Sequence, residues 1–318
     1  MKVVQDPQEI GKSYENVMVA LGNFDGVHLG HQRLIRDMIQ EARQAKGAAV
    51  VVTFHPHPLK VLQPDKAPRL LTTLERKIEL IRGLEADVLL LVPFTLELAR
   101  LSPHTFVQDI LYDRLQVRKV FVGFNFNFGY RGAGNPELLR TMGGQLGFDV
   151  EVLPPITVEG TIVSSTEIRQ ALELGDILRA RTFLGYWPIV EGKVISGDQR
   201  GRQIGFPTAN VAIDQELMLP GRGVYVAKVK VRGKWYVGVV NIGTKPTFTN
   251  LEVWTIEAHL LDFCQTIYGE RIELHLLQKL RDECKFNSVN DLVEQIKLDI
   301  AEARVLTNTA MFNRAQSR

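Results

Sequence analysis

LGNFDGVHLGHQ, residues 21–32, joins an apolar run to an amphipathic stretch, and its reading decides the fold. The run Val17 to Leu21 ends in Gly22; Leu29, Leu34, Ile35, Met38 and Ile39 then recur with helical spacing up to Gly47. That pattern predicts strand, tight turn, helix. His28 and His31 lie one turn apart at the start of the helix and share a face. Gly26 and Gly30 let the backbone come close to whatever sits there. First-turn amides have no intrahelical partner and the macrodipole is positive at this end, so the site suits an anion such as a phosphate group. Two other readings stand beside this one. The histidines could ligate zinc, although no further Cys, His or carboxylate stands at a readable spacing. The glycines could also mark a structural turn, which has no use for paired histidines.

Downstream, Ala48 to Phe54 is a valine-rich continuous run that suits a strand buried on both faces of a parallel sheet. HPHP at 55–58 stops it and leaves His55 and His57 at its carboxyl end, where open α/β sheets place ligands. Solvated loop histidines are the alternative. A helix near Leu74 to Gly83, a strand Asp87 to Val92, a helix Ser102 to Leu115 and a strand Lys119 to Gly123 continue the alternation, which predicts a doubly wound parallel sheet. In FNFNFGYRGAGN, residues 124–135, alternation turns Asn125 and Asn127 away from an apolar face; a buried edge with capped asparagines is the other reading. VSSTEIRQAL, residues 163–172, begins another helix. Ser164 and Glu167 fit a capping box, and Arg169, one turn in, offers a fork suited to a polyphosphate.

The chain of 318 residues fits two domains rather than one core. Hydrophobic and charged contents of 45% and 23% are those of a soluble globular protein, and a formal net charge of +2 argues against coating nucleic acid. Cys264 and Cys284, the two cysteines, lack C-x-x-C spacing and make no disulfide framework, which points to a reducing compartment. With no apolar stretch of about 18 residues and no basic-then-apolar leader, the expectation is a cytoplasmic protein with no membrane and no nucleic-acid partner; the oligomeric state is left open.

After Leu184 the pattern changes. Pro188 to Ile195, Gly223 to Val231, Lys234 to Ile242, Val253 to Leu260 and Arg271 to Leu280 read as strands between glycine and asparagine turns, with a terminal helix from Ser288 to Arg304. Strands without intervening helices predict an antiparallel barrel or sandwich. GDQRGRQIGFPTANV, residues 197–211, gives a mobile basic loop with Arg200 and Arg202, followed by Pro207, Thr208 and Asn210. If that segment is extended, Thr208 and Asn210 point the same way and suit a magnesium ion that shares substrate phosphates. An ordinary turn with Asx-type bonds is the alternative.

G-N-F-D-G-V-H-L-G-H with F-H-P-H-P and S-S-T-E-I-R resembles the H-x-G-H nucleotidyltransferases, in the form found in the adenylyltransferase half of bacterial FAD synthetases. G-R-x-x-G-F-P-T-A-N, N-I-G-T-K-P-T-F at 241–248, E-A-H-L-L-D-F at 257–263 and L-R-D-E-x-K-F at 280–286 resemble riboflavin kinase. The resemblance implies an α/β doubly wound N-terminal domain, residues 1–183, and a C-terminal antiparallel β-barrel with a terminal helix, residues 184–318. It implies that riboflavin is phosphorylated by ATP to FMN and FMN adenylylated by ATP to FAD, with magnesium. His28, His31 and Arg169 would be catalytic in the first domain, and Glu257 the base of the second. Gly22, Phe24, Gly30, Ser164, Ser165, Thr166, Thr208 and Asn210 would bind nucleotide, with Thr208 and Asn210 at the metal; His57, Asn125 and Arg281 would bind flavin. FMN is already an anion at neutral pH, so adenylyl transfer needs charge stabilisation rather than a strong base. Riboflavin's primary alcohol must lose a proton, which gives a positioned carboxylate a use. Rival readings are a nucleotidyltransferase for another phosphate, such as a pantetheine or nicotinamide nucleotide, and a non-catalytic flavin sensor or RNA-binding regulator.

Overall fold

A computed structural model describes residues 1–197, 200–246 and 252–308, and the chain divides into two compact units, residues 1–165 and 166–318. In the first unit the strands β1 (Lys2–Val4), β2 (Val17–Leu21), β3 (Ala49–His55), β4 (Val88–Pro93), β5 (Val117–Gly123) and β6 (Asp149–Leu153) form one parallel sheet in the order β1-β4-β3-β2-β5-β6. Successive strands step outward from β2 to β3 and β4, then reverse to β5 and β6, so the switch point lies between β2 and β5. A small hairpin of β7 (Thr157–Val158) and β8 (Thr161–Ile162) follows.

All of β2 is buried. Val17, Val19 and Leu21 enter one apolar cluster while Met18 and Ala20 enter another, as alternation across a sheet covered on both faces demands. Each such Val or Leu contributes roughly 1.5–3 kcal/mol by leaving water. The Leu29–Gln44 helix packs Leu34, Ile35, Met38 and Ala42 against the second cluster.

The predicted Ser102–Leu115 helix starts on a Ser102 cap and runs to Arg114, with a π-helical stretch over Phe106–Arg114. The strand-like alternation at 124–128 is corrected to a turn that ends in a single antiparallel bridge: Phe126 N–H donates to Gly123 O at 3.1 Å and Asn127 Nδ2 to Asn125 O at 3.1 Å, local bonds, and only Phe128 pairs, with Gly134. Phe126 still stacks on buried Phe128 with ring centroids 5.6 Å apart, and Asn125 and Asn127 are exposed, but Phe124 is exposed as well.

In the second unit, among the described residues, β9 (Ile189–Ile195), β10 (Ala209–Ala212), β11 (Gly223–Val231), β12 (Lys234–Pro246), β13 (Glu252–Leu260) and β14 (Arg271–Arg281) close an antiparallel barrel in the order β10-β13-β12-β11-β14-β9. Closure removes the edges that an open sheet exposes. The short β10, unread in the sequence, completes it. A Ser288 cap starts the terminal helix Val289–Thr307. The expected basic loop contains a helical turn, Arg200–Gln203; its Asp198 and Gln199 lie outside the described residues, as do Thr247 and Phe248.

Candidate active sites

The turn from Gly22 to His28 sits at the carboxyl end of β2, at the switch point where doubly wound sheets bind ligands. Gly22 N–H donates to Val52 O at 3.1 Å. Phe24 is buried with a left-handed φ of 48° and meets His31 edge-on, centroids 5.2 Å apart. Asp25 is 3% exposed; its Oδ1 accepts from Leu71 N–H at 3.0 Å and its carbonyl from Ser165 Oγ at 3.0 Å. Gly26, at φ 79°, makes the reversal that a side chain would resist. His28 caps the Leu29–Gln44 helix, its Nδ1 accepting from His31 N–H at 3.4 Å. The two imidazoles stack with centroids 3.6 Å apart and 17° between planes, and a Cβ on Gly30 would press to 3.2 Å from His28 Cε1. Burial first, then His28 and Lys77, holds the His31 imidazole well below its ordinary pKa. Among the described residues, its buried Nδ1 has no hydrogen-bond partner. A stacked histidine pair, with His31 held neutral, is thus presented at a helix N-terminus at the switch point.

His57 caps the Pro58–Leu62 helix, with Nδ1 accepting from Leu59 N–H at 3.2 Å. His55 ends β3, its pKa lowered by burial, then by Lys77 and Lys60. Asn125 follows β5. These loops leave the carboxyl ends of β3 and β5, the neighbours of β2 on either side. Ser164 directly precedes the Ser165–Glu173 helix, and Ser165 ties that helix start to the turn through the Asp25 carbonyl. Thr166 and Arg169 lie on the same helix, in the second compact unit, where Glu167 pairs with Arg179 at 3.3 Å.

Lys77, unread in the sequence, is 7% exposed and donates from Nζ to Asn23 O at 2.9 Å; the fully buried Thr53 donates to the same carbonyl at 3.0 Å. Its signal was present: Leu74, Lys77, Ile78 and Ile81 occupy the apolar stripe of the Leu74–Arg82 helix, so a lysine holds an inward slot.

On the barrel, register aligns Asn210 of β10 with Glu257 of β13, and Glu257 with Asn241 of β12. Ile256 and Ala258 are buried, so the three polar side chains share the outer face. A Cβ on Gly197 would lie 2.2 Å from Asn210 Nδ2, and one on Gly201 3.4 Å from Thr208 Oγ1. Gly197 therefore leaves room against the Asn210 amide, whereas a side chain on Gly201 would strike the Phe206 carbonyl and only touch Thr208 Oγ1. Lys245 Nζ stands 3.5 Å from Glu257 Oε1, Asn241 Nδ2 donates to Glu283 Oε1 at 3.2 Å, and a Cβ on Gly243 would strike that carboxylate. His259 Nδ1 bonds Pro207 O at 2.8 Å, fixing the chain just before Thr208. Arg281 is engaged: its guanidinium pairs with Asp299, 4% exposed, at 2.8 Å, and bonds Asp282 O at 3.1 Å. It anchors the terminal helix to β14. Among the described residues, no group of three or more His, Cys, Asp or Glu could hold a metal ion, and no helix is long and apolar enough to cross a membrane.

Residues 11–167 match the family model of FAD synthetase and residues 184–307 that of riboflavin kinase. The bifunctional riboflavin kinase/FMN adenylyltransferase of Bacillus subtilis is 42% identical over 290 residues, covering 90% of this chain and 91% of that one. The chain belongs to the bifunctional riboflavin kinase/FMN adenylyltransferase family. The Escherichia coli K12 member is 36% identical over 306 residues, covering 96% of this chain and 97% of its own. A crystal structure from Streptococcus pneumoniae, named a macrolide-efflux protein, superposes with a TM-score of 0.86 at 31% identity, over 95% of this chain and 98% of that one. Each candidate site thus lies within the span matched by one of the bifunctional family's two domains, except that Arg169 falls between the two matched spans.

Proposed function

We propose that this chain phosphorylates riboflavin with ATP to FMN and ADP, and adenylylates FMN with ATP to FAD and pyrophosphate. The observation that carries the reading is the pairing, in one chain, of two family domains with two differently built phosphate sites: a histidine pair on a helix N-terminus, and an oxygen-donor pair beside a carboxylate. The functional halves are assigned as residues 1–183 and 184–318.

In the first, an FMN phosphate oxygen bonds to the α-phosphorus of ATP and the bond to pyrophosphate breaks. His28, His31 and the helix amides stabilise the charge that develops, with Arg169 assigned to the polyphosphate. Gly22, Phe24, Gly30, Ser164, Ser165 and Thr166 are assigned to the nucleotide, and His57 and Asn125 to the flavin. In the second, Glu257 takes the proton of riboflavin's primary hydroxyl as the γ-phosphoryl group transfers and ADP leaves.

Thr208 and Asn210 fit magnesium: hard oxygen donors, a glycine closely apposed to Asn210, and few protein ligands, as suits an ion that keeps waters and shares substrate phosphates. When bound, the ion neutralises phosphate charge. Arg281 is assigned to the flavin only through its support of β14, since its fork is committed to Asp299. The exposed free cysteines Cys264 and Cys284 support a reducing, cytoplasmic setting.

Incubating the full chain with riboflavin, ATP and magnesium and separating the flavins tests this. FMN should appear first and FAD after it. Absence of FMN favours a nucleotidyltransferase for some other phosphate, and flavin binding without ATP consumption favours a sensor.

A further inference from the structure

The Asn23 carbonyl already has a buried hydroxyl donor in Thr53, and a second neutral donor would satisfy it completely. The chain instead places an ammonium there, at 2.9 Å, although burying a cation costs far more than burying an amide or hydroxyl. The retained charge therefore has a use beyond the bond. Asn23 begins the turn that leads through Phe24 and Asp25 to the histidine pair, so fixing its carbonyl fixes the entry to the site. The ammonium also stands within electrostatic reach of His31, His55 and the buried Asp25; burial lowers its own pKa, and the Asp25 carboxylate works against that lowering and favours the charged form.

We infer that Lys77 is a positioning residue of the adenylyl-transfer centre: it pins the Asn23 carbonyl, and through it the turn bearing His28 and His31, and sets a buried positive charge at the start of that turn. This rests on the adenylyltransferase reading above. Around His31 stand the His28 ring stacked on it and the Phe24 ring nearly perpendicular to it, with the Lys77 ammonium within electrostatic reach. Burial lowers its pKa first, with His28 and Lys77 adding to the effect, so the free enzyme holds His31 as a neutral donor. Arriving triphosphate then meets the Lys77 cation and an uncharged His31.

Three variants of the full chain separate the roles. Lys77→Gln keeps a donor for Asn23 O and removes the charge; Lys77→Arg keeps the charge; Thr53→Val removes the other donor and leaves the charge. The readouts are kcat and KM for FMN adenylylation across pH, and the NMR titration of the histidine rings, with His31 assigned through His31→Gln. For Lys77→Gln, kcat should fall about tenfold or more with KM for ATP within about threefold, as loss of positioning in the transition state requires. The acid limb of kcat/KM and the His31 titration should both move up by roughly 0.5–1 pH unit. Lys77→Arg should return both to the wild-type position, and Thr53→Val should lower kcat without moving either. An unmoved limb and an unmoved His31 titration in Lys77→Gln overturn the inference whatever its kcat. If Lys77→Gln does not fold, Lys77→Arg decides: a His31 titration displaced to the ordinary histidine range overturns it. A wild-type chain that makes no FAD sinks the functional reading instead, while the NMR titration still tests the coupling of Lys77 to His31.

Discussion

His31 is neutral at neutral pH because burial, then His28 and Lys77, penalise its cation, and this has consequences for both catalysis and stability. A preorganised neutral donor at a developing charge is worth about 10²–10³ in rate, so His31→Ala should slow FMN adenylylation by that factor while riboflavin phosphorylation, followed in the same preparation, is unchanged. The same depressed pKa fixes the sign of a stability effect. Above about pH 6.5 the ring is uncharged both folded and unfolded, and stability is at its full value. As pH falls below that, the unfolded chain takes up a proton the folded one resists, and stability is lost until the folded pKa is reached; His55, lowered mainly by burial, acts with the same sign. Denaturant unfolding between pH 7.5 and 5 should show this loss, and His31→Gln should flatten the slope. A slope of the opposite sign would mean the imidazole is charged in the fold. Glu257 stands on the outer face between Asn210 and Asn241, where a carboxylate can reach an incoming hydroxyl. Glu257→Gln should therefore lower riboflavin phosphorylation by ~10²–10⁴, the usual worth of a general base, with adenylylation intact.

At the level of elements, the sites depend on backbone approaching side chain closely. A Cβ on Gly197 would come within 2.2 Å of Asn210 Nδ2; Gly197→Ala must therefore push the amide aside, and a displacement of ~1 Å costs about 10²-fold in a positioned reaction. The variant should lose phosphorylation and keep adenylylation, and normal kinase rates would show that Asn210 is not held by that glycine. The β2 strand, the Leu29–Gln44 helix and the histidine face were readable because apolar period and glycine placement agreed. The Phe–Asn alternation at 124–128 misled because period 2 describes a strand only where neighbouring chain offers ladder partners, and here a turn bonds locally. Asp149–Leu153 and Ala209–Ala212 escaped because short strands, with polar outer positions, carry too little pattern to stand out. Lys77 escaped for a different reason: a charged residue on a helix is normally solvent-facing, and only its position in the stripe of Leu74, Ile78 and Ile81 marks it as inward.

For the whole molecule, the motif sets and the compact units divide the chain at different places. The proposed functional boundary at 183/184 follows the motifs, whereas the compact units part at 165/166. The helices Ser165–Glu173 and Ile177–Leu184 explain the difference: Gly221 N–H donates to Leu172 O at 2.8 Å, and a Cβ on Gly175 would lie 2.8 Å from Lys279 Cδ and 2.9 Å from Tyr225 Oη, so they pack with the barrel. Packing between elements far apart in the chain leaves no periodic trace, which is why this partition was not legible while the two fold classes were. What the proposed division does require is that each chemistry run on its own residues, and this can be asked of intact chains. His31→Ala should convert riboflavin to FMN and stop there. Glu257→Gln should convert added FMN to FAD and leave riboflavin untouched. Mixed together with riboflavin, ATP and magnesium, the two variants should yield FAD after a lag while FMN made by one chain accumulates for the other. FMN that builds up in the mixture without becoming FAD would mean that the adenylylation site does not accept free FMN, and the two halves would then have to be treated as one coupled catalyst.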